Sequence, residues 1–96
     1  MEIILSQEFE IDLARTLFFI EQHSSKAKEK FRVGLFKELS SINVFPRKYR
    51  KSIYFNDLDV RDLIYDGYVI PFKILSNNNY LVFGLIKHRA VFSLKQ

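Results

Sequence analysis

Apolar residues recur at helical spacing through the first half of the chain and alternate with polar ones through the second. Phe9, Leu13, Leu17 and Ile20 fall three or four positions apart and so share one helix face. Ser6 precedes them as a cap, with Glu8 and Glu10 near the positive end of the helix dipole. His23, Ser24 and Ser25 interrupt the pattern, and either serine can cap a second helix. Ala27, Phe31, Leu35, Leu39 and Ile42 form the core face of that helix, and Asn43 and Pro46 end it. So few residues separate the two helices that they should lie antiparallel as a hairpin.

Before the helices, EIIL at 2–5 reads as a short strand. After them, residues 46–59 look irregular, with a short extended piece at 52–55. From Val60 onward the chain is β-like. RDLIYDGYVIPFKI at 61–74 reads as strand, turn, strand, because Asp66-Gly67 is a strong two-residue hairpin signal. Tyr68, Ile70, Phe72 and Ile74 alternate onto one face. Residues 76–79 make a second turn, since Asn tolerates positive φ, and 80–86 is the third strand of a meander. Pro71 has no amide N–H, so it belongs on an edge strand or at a bulge. The expected class is α+β, in the order β-α-α-β-β-β. A helical hairpin covers one face of a small antiparallel sheet. The other face is expected to be free, with Val69 and Lys73 pointing there and Tyr65 a further candidate.

Length and composition narrow this picture. The 96 residues are read as one domain, 1–96, able to bury roughly 60–70% of its unfolded surface. An apolar fraction of 48%, with ten Phe and five Tyr, is that of a globular chain. The absence of Cys excludes disulfides and thiolate chemistry. Paired His ligands are also missing, so neither a metal site nor a cofactor is expected. The opening MEIILSQEFEIDL has no basic segment followed by a long apolar run. No apolar stretch approaches the roughly 18 residues of a membrane span. A cytoplasmic protein without a membrane partner is therefore expected. The net charge of +4 is compatible with an anionic partner.

Two groups of residues stand out from the core pattern. Arg47, Lys48, Arg50 and Lys51 surround Tyr49 and could track a phosphate backbone, with Lys73 and Lys87 as further cations. A solvated basic loop is the plainer reading, and Asp57, Asp59, Asp62 and Asp66 follow closely enough to neutralise it. Ile11 and Phe18 on the first helix, and Val33 and Phe36 on the second, fall off the core stripes. They could seat a partner helix or a second copy of the chain, giving a homodimer.

The helical hairpin, Pro46, the strand carrying Arg61, Gly67-Tyr68, the apolar strand 69–74 and the terminal group Lys87, His88, Arg89 follow in a telling order. That order, over nearly the whole chain, resembles the RelE/ParE family of small bacterial toxins, also grouped as plasmid stabilisation proteins. The resemblance implies the toxin of a type II toxin–antitoxin pair, a growth inhibitor blocked by a cognate antitoxin whose disordered segment folds over it. RelE-like members are mRNA interferases that cut messenger in the ribosomal A site without a metal. ParE-like members inhibit DNA gyrase and need no hydrolytic site.

Cleavage of RNA needs a base for the ribose 2′-OH, cations for the charged intermediate and an acid for the leaving oxygen. RelE-like enzymes place such groups on the open sheet face and the C-terminal tail. If this chain is a ribonuclease, the resemblance assigns catalysis to His88, Arg89 and Arg61, with Tyr65 as a platform for a base. Histidine alone among these titrates near neutrality. At the strand end, however, His88 is more often structural, and Arg61 could simply pair with Asp59 or Asp62. His23 sits favourably at a helix C-terminus and is given no catalytic role. The chain also departs from the RelE-like pattern. It has Val69 where an Arg follows the Gly-Tyr tyrosine, and Phe72 where many relatives have Tyr. The expected function is therefore a ParE-like toxin acting on gyrase. The alternatives are a RelE-like, ribosome-dependent endoribonuclease and a non-toxic binding homologue.

Overall fold

The structure, a computed structural model, describes residues 2–87. Strand β1 (Glu2–Leu5) leads into helices α1 (Gln7–Glu21) and α2 (Ser25–Ser40). Ser6 and Ser24 cap the helices as expected, accepting from the amides of Phe9 and Ala27 at 3.0 Å. A 3₁₀ turn at Pro46–Lys48 precedes β2 (Arg50–Lys51). Strands β3 (Val60–Tyr65), β4 (Tyr68–Ile74), β5 (Asn79–Val82) and β6 (Ile86–Lys87) follow.

The sheet order is β1-β5-β4-β3-β2, with β6 also pairing β4. The fold is α+β and mostly antiparallel, as the alternation implied, but β1 runs parallel to β5. That pairing places the first strand at the far edge, with the helical hairpin and strands β2 to β4 all lying between the two partners in sequence. Asp66 (φ 50°) and Gly67 (φ 83°) both turn left-handed between β3 and β4, the geometry that an Asp-Gly hairpin demands.

Register assigns the two faces. Leu63, Tyr68, Ile70, Phe72, Tyr80 and Val82 face the helices and pack with Phe9, Leu13, Phe31, Leu35, Leu39 and Ile42 into one core. Ala27 was expected in this core but is exposed, because it lies in the first turn of α2, before the helix meets the sheet. Phe36 was expected off the core stripe. It instead packs partly buried against the core, in a cleft shared with Ile3, Leu5 and Leu39. The first strand brings these neighbours, and the helical period alone could not supply them.

Pro71 sits in a central strand and is accommodated by a bulge. Phe72 pairs with Val82 and Val69 with Ile86, so three steps along β4 oppose four along the returning chain. In an antiparallel ladder a residue's N–H and C=O point toward the same neighbour. The Pro71 carbonyl accepts from Phe83 N at 3.2 Å, so its nitrogen also faces this break, where no donor is needed. The single strand expected at 80–86 is thus two, β5 and β6, separated by the bulge. The extended piece expected at 52–55 is not a strand. The pairing lies at Arg50–Lys51 instead.

Candidate functional site

The outer face of the sheet, opposite the helices, is where the expected ribonuclease site would lie. It is not free. Val60, Asp62, Val69 and Pro71 all point there by register, and all are buried. Residues 52–59 cross this face as a strap, with Phe83 against Phe55 and Gly84 against Pro71 from the other side. Ser52 N donates to Val60 O at 2.9 Å, and Val60 N to Asp57 O at 3.0 Å. Phe55 meets Phe83 edge to face at 5.1 Å.

Asp62 holds the strap from below. Its side chain is fully buried, and Oδ2 accepts from Arg50 Nε and Ile53 N, each at 3.2 Å, with Arg50 Nη2 also 3.2 Å away in an ion pair. Its Oδ1 has no hydrogen-bond partner. A buried carboxylate is tolerated only when paired, so the cation of β2 and the strap's own amide make this position acceptable.

The cations singled out in the sequence are largely engaged within the chain. Arg47 Nη2 pairs with Asp59 Oδ1 at 3.0 Å, and Lys73 Nζ with Asp57 Oδ2 at 3.1 Å. Arg61 donates to the carbonyl oxygens of Leu58, Arg47 and Tyr49 at 3.3, 3.4 and 3.1 Å. It therefore ties the basic segment to β3. The Asp57 carboxyl is held below its ordinary range, chiefly by the backbone N–H of Asp59 and then by Lys73. Lys48 lies over the Tyr49 ring at 5.2 Å, and Lys87 over the Tyr68 ring at 4.7 Å. Lys48 and Lys51 form no ion pair among the described residues.

Tyr65 turns away from the outer face. It packs edge to face on Phe31 at 5.3 Å, and its hydroxyl donates to Phe31 O at 3.4 Å. Burial there pushes the phenol's pKa up. The tyrosine is therefore helix-facing, and the expectation of an outward stacking platform is corrected. Its register opposite Tyr68, which faces the core, dictates this orientation. Val69, where the RelE-like pattern has Arg, is fully buried. Of the three residues assigned to catalysis, Arg61 is bound to backbone carbonyls. His88 and Arg89 lie outside the described residues.

The structure brings together Arg47, Arg50, Arg61 and Lys73 as the frame of the strap, which no sequence period encodes. What sequence reasoning missed is the strap itself. A run of four large apolar residues, Ile53, Tyr54, Phe55 and Leu58, in a segment without strand alternation was the available signal. Elsewhere, Ile11, Phe18 and Val33 stand exposed on the outer side of the hairpin. A cleft of about 420 Å³ beside α1 is lined by Asp12, Arg15, Phe19, Tyr68 and Lys87. Among the described residues no group of three His, Asp or Glu is placed to hold a metal ion. No helix among them is long and apolar enough to cross a membrane.

Comparison with known proteins completes the description. A solved structure described as the chromosomal ParDE TA system from P. aeruginosa superposes with a TM-score of 0.72 at 10% identity, covering 93% of this chain and 97% of that one. At that identity the likeness speaks for the fold. No curated protein sequence matches. The family profile described as the ParE toxin of type II toxin-antitoxin system, parDE, matches residues 3–92, which span the strand, the hairpin, the strap and the sheet. The chain belongs to the ParE toxin family of type II toxin–antitoxin systems.

Proposed function

We infer that this ParE-family toxin arrests growth by binding DNA gyrase rather than by cutting messenger RNA, and that a cognate ParD-type antitoxin neutralises it. The largely covered outer face supports this reading. Cleavage needs a base and cations converging on an accessible phosphate. Here the strap occupies the corresponding surface, Val69 stands buried in place of the clamp arginine, and Lys73 and Arg61 are held by internal partners. Inhibition by protein contact requires only a firm, shaped surface, and the exposed Ile11, Phe18 and Val33 on the rigid hairpin offer one.

The test is to induce the chain in bacteria without antitoxin and follow DNA, RNA and protein synthesis by pulse labelling in the first minutes. The gyrase reading expects DNA synthesis to stop first and cells to filament. An early stop in protein synthesis with fragmented mRNA would replace it with the ribonuclease reading. Normal growth with abundant folded protein would leave a binding homologue that lacks toxicity.

A further inference from the structure

The sheet ends on two different edges. β2 is two residues long and carries Arg50 and Lys51, and charge and shortness both keep a sheet edge from pairing further. β1 at the other end is the four residues EIIL, with one charge, no proline and an unbroken register against β5. Among the described residues no strand lies beyond it. Ser6 N donates to Val82 O at 2.9 Å, so the backbone of Ser6 points toward β5. Backbone groups alternate in direction along a strand. Those of Glu2 and Ile4 therefore point to β5 as well, and the N–H and C=O of Ile3 and Leu5 point outward from the edge.

The side chains at this edge are also short of cover. Ile3 and Leu5 pack against the core yet stay half-buried, and Ile4 on the outer face is 38% exposed. On the helix side of the edge lies a cleft of about 180 Å³, lined by Ile3, Leu5, Phe36, Leu39 and Ser40. No charged side chain lines it, so an aliphatic side chain from a neighbouring strand would gain by burial there.

We propose that β1 pairs antiparallel with β1 of a second copy across a two-fold axis at Ile4, joining two sheets into one. The strand's own pattern selects that occupant. One register sets Ile3 opposite Leu5 of the copy and Leu5 opposite its Ile3. It pairs every outward N–H and C=O of both strands, and it places Ile4 against Ile4 in the closer, non-bonded position between them. The Ile3–Leu5 pairs then cover the two clefts on the helix side, and the cross-strand contacts are aliphatic on both faces. Charge fits the same register. Each Glu2, the one charge of the strand, falls opposite Ser6 of the copy, the cap at the positive end of α1, and away from the other Glu2. Stacking β1 on β2 would instead bring Arg50 and Lys51 against this apolar edge and would not close, whereas the two-fold pairing closes at two copies. The contact is small, so the dimer is reversible and depends on concentration.

The experiment is sedimentation of the purified full-length chain across a concentration series. The wild type should pass from monomer to dimer. Ile3→Pro removes an outward N–H and leaves the β5 ladder intact. It should weaken the dimer by about tenfold or more while keeping the wild-type circular dichroism spectrum. Ile4→Lys sets two cations against each other on the axis and should also weaken the dimer, which keeps the test decisive if the proline variant folds poorly. Ile11→Asp/Phe18→Asp, on the hairpin, should leave the dimer unchanged. The chain has no Cys, so Ile4→Cys places a thiol at one position only. Under mild oxidation it should form a disulfide-linked dimer about tenfold faster than Leu58→Cys, although Leu58 is 68% exposed and Ile4 38%. A wild type that stays monomeric up to about 1 mM would overturn the proposal. So would a dimer that both edge variants leave intact, or equal rates of linking for the two thiol variants. A monomer whose Ile3 and Leu5 amides gain exchange protection only from the product of the neighbouring reading frame would overturn it as well. None of these readouts involves growth arrest, so the outcome is independent of the gyrase reading.

Discussion

The Tyr65 hydroxyl occupies the space that a β-carbon on Gly34 would need, so β3 and α2 meet at the one position in that helix turn without a side chain. Glycine inside a helix costs about 1 kcal/mol relative to alanine. Here that cost is offset by letting a half-buried tyrosine reach the Phe31 carbonyl. Gly34→Ala should therefore destabilise the chain by about 1–3 kcal/mol despite its better helix propensity. Tyr65→Phe should recover most of that loss in the double variant. Urea midpoints of the four proteins check this, and a Gly34→Ala chain at or above wild-type stability would contradict it.

Arg50 and Asp62 form a half-buried ion pair whose carboxylate has no access to solvent. Removing only the arginine leaves that carboxylate with the single amide of Ile53. Arg50→Met should cost about 3–5 kcal/mol, whereas Arg50→Met/Asp62→Leu should recover much of it. Denaturant unfolding of the two variants and the wild type measures the difference.

The Asp57 carboxyl gives the strap an acid dependence with a definite sign. Its folded pKa is depressed from the ordinary 3.8, so the stability it contributes is complete above that value and declines as pH falls through the depressed one. Carboxyl NMR titration should place Asp57 below 3.8. In Lys73→Ala the value should rise only part of the way, because the backbone N–H of Asp59 is the larger cause. A complete return to 3.8 in that variant would show that the lysine dominates.

If growth arrest comes from protein contact, removing the histidine of the tail should change it little. His88→Ala is expected to arrest growth within about twofold of wild type, since no general base is needed; loss of a true acid–base group costs roughly 10²–10⁴. Colony counts after induction, with equal protein levels, decide between the two.

The strap was not visible along the chain, whereas most of the fold was. The helical faces at Phe9–Leu13 and Phe31–Leu35–Leu39, the serine caps and the Asp-Gly turn are local. Spacing within a dozen residues specifies them, and the structure has them where spacing puts them. The order of these elements also sufficed to reach the toxin family. By itself, then, the sequence determined the class of fold, the inward face of the hairpin and the family. Only the tertiary structure decided what covers the second face of the sheet. That depends on pairings across long loops: Arg50 with Asp62, Arg47 with Asp59, Lys73 with Asp57, and β1 beside β5. A run of cations reads the same in sequence whether it awaits a phosphate or meets carboxylates twelve residues on. The fold brings those carboxylates within 3.0–3.2 Å, and the charges are then partners within the chain.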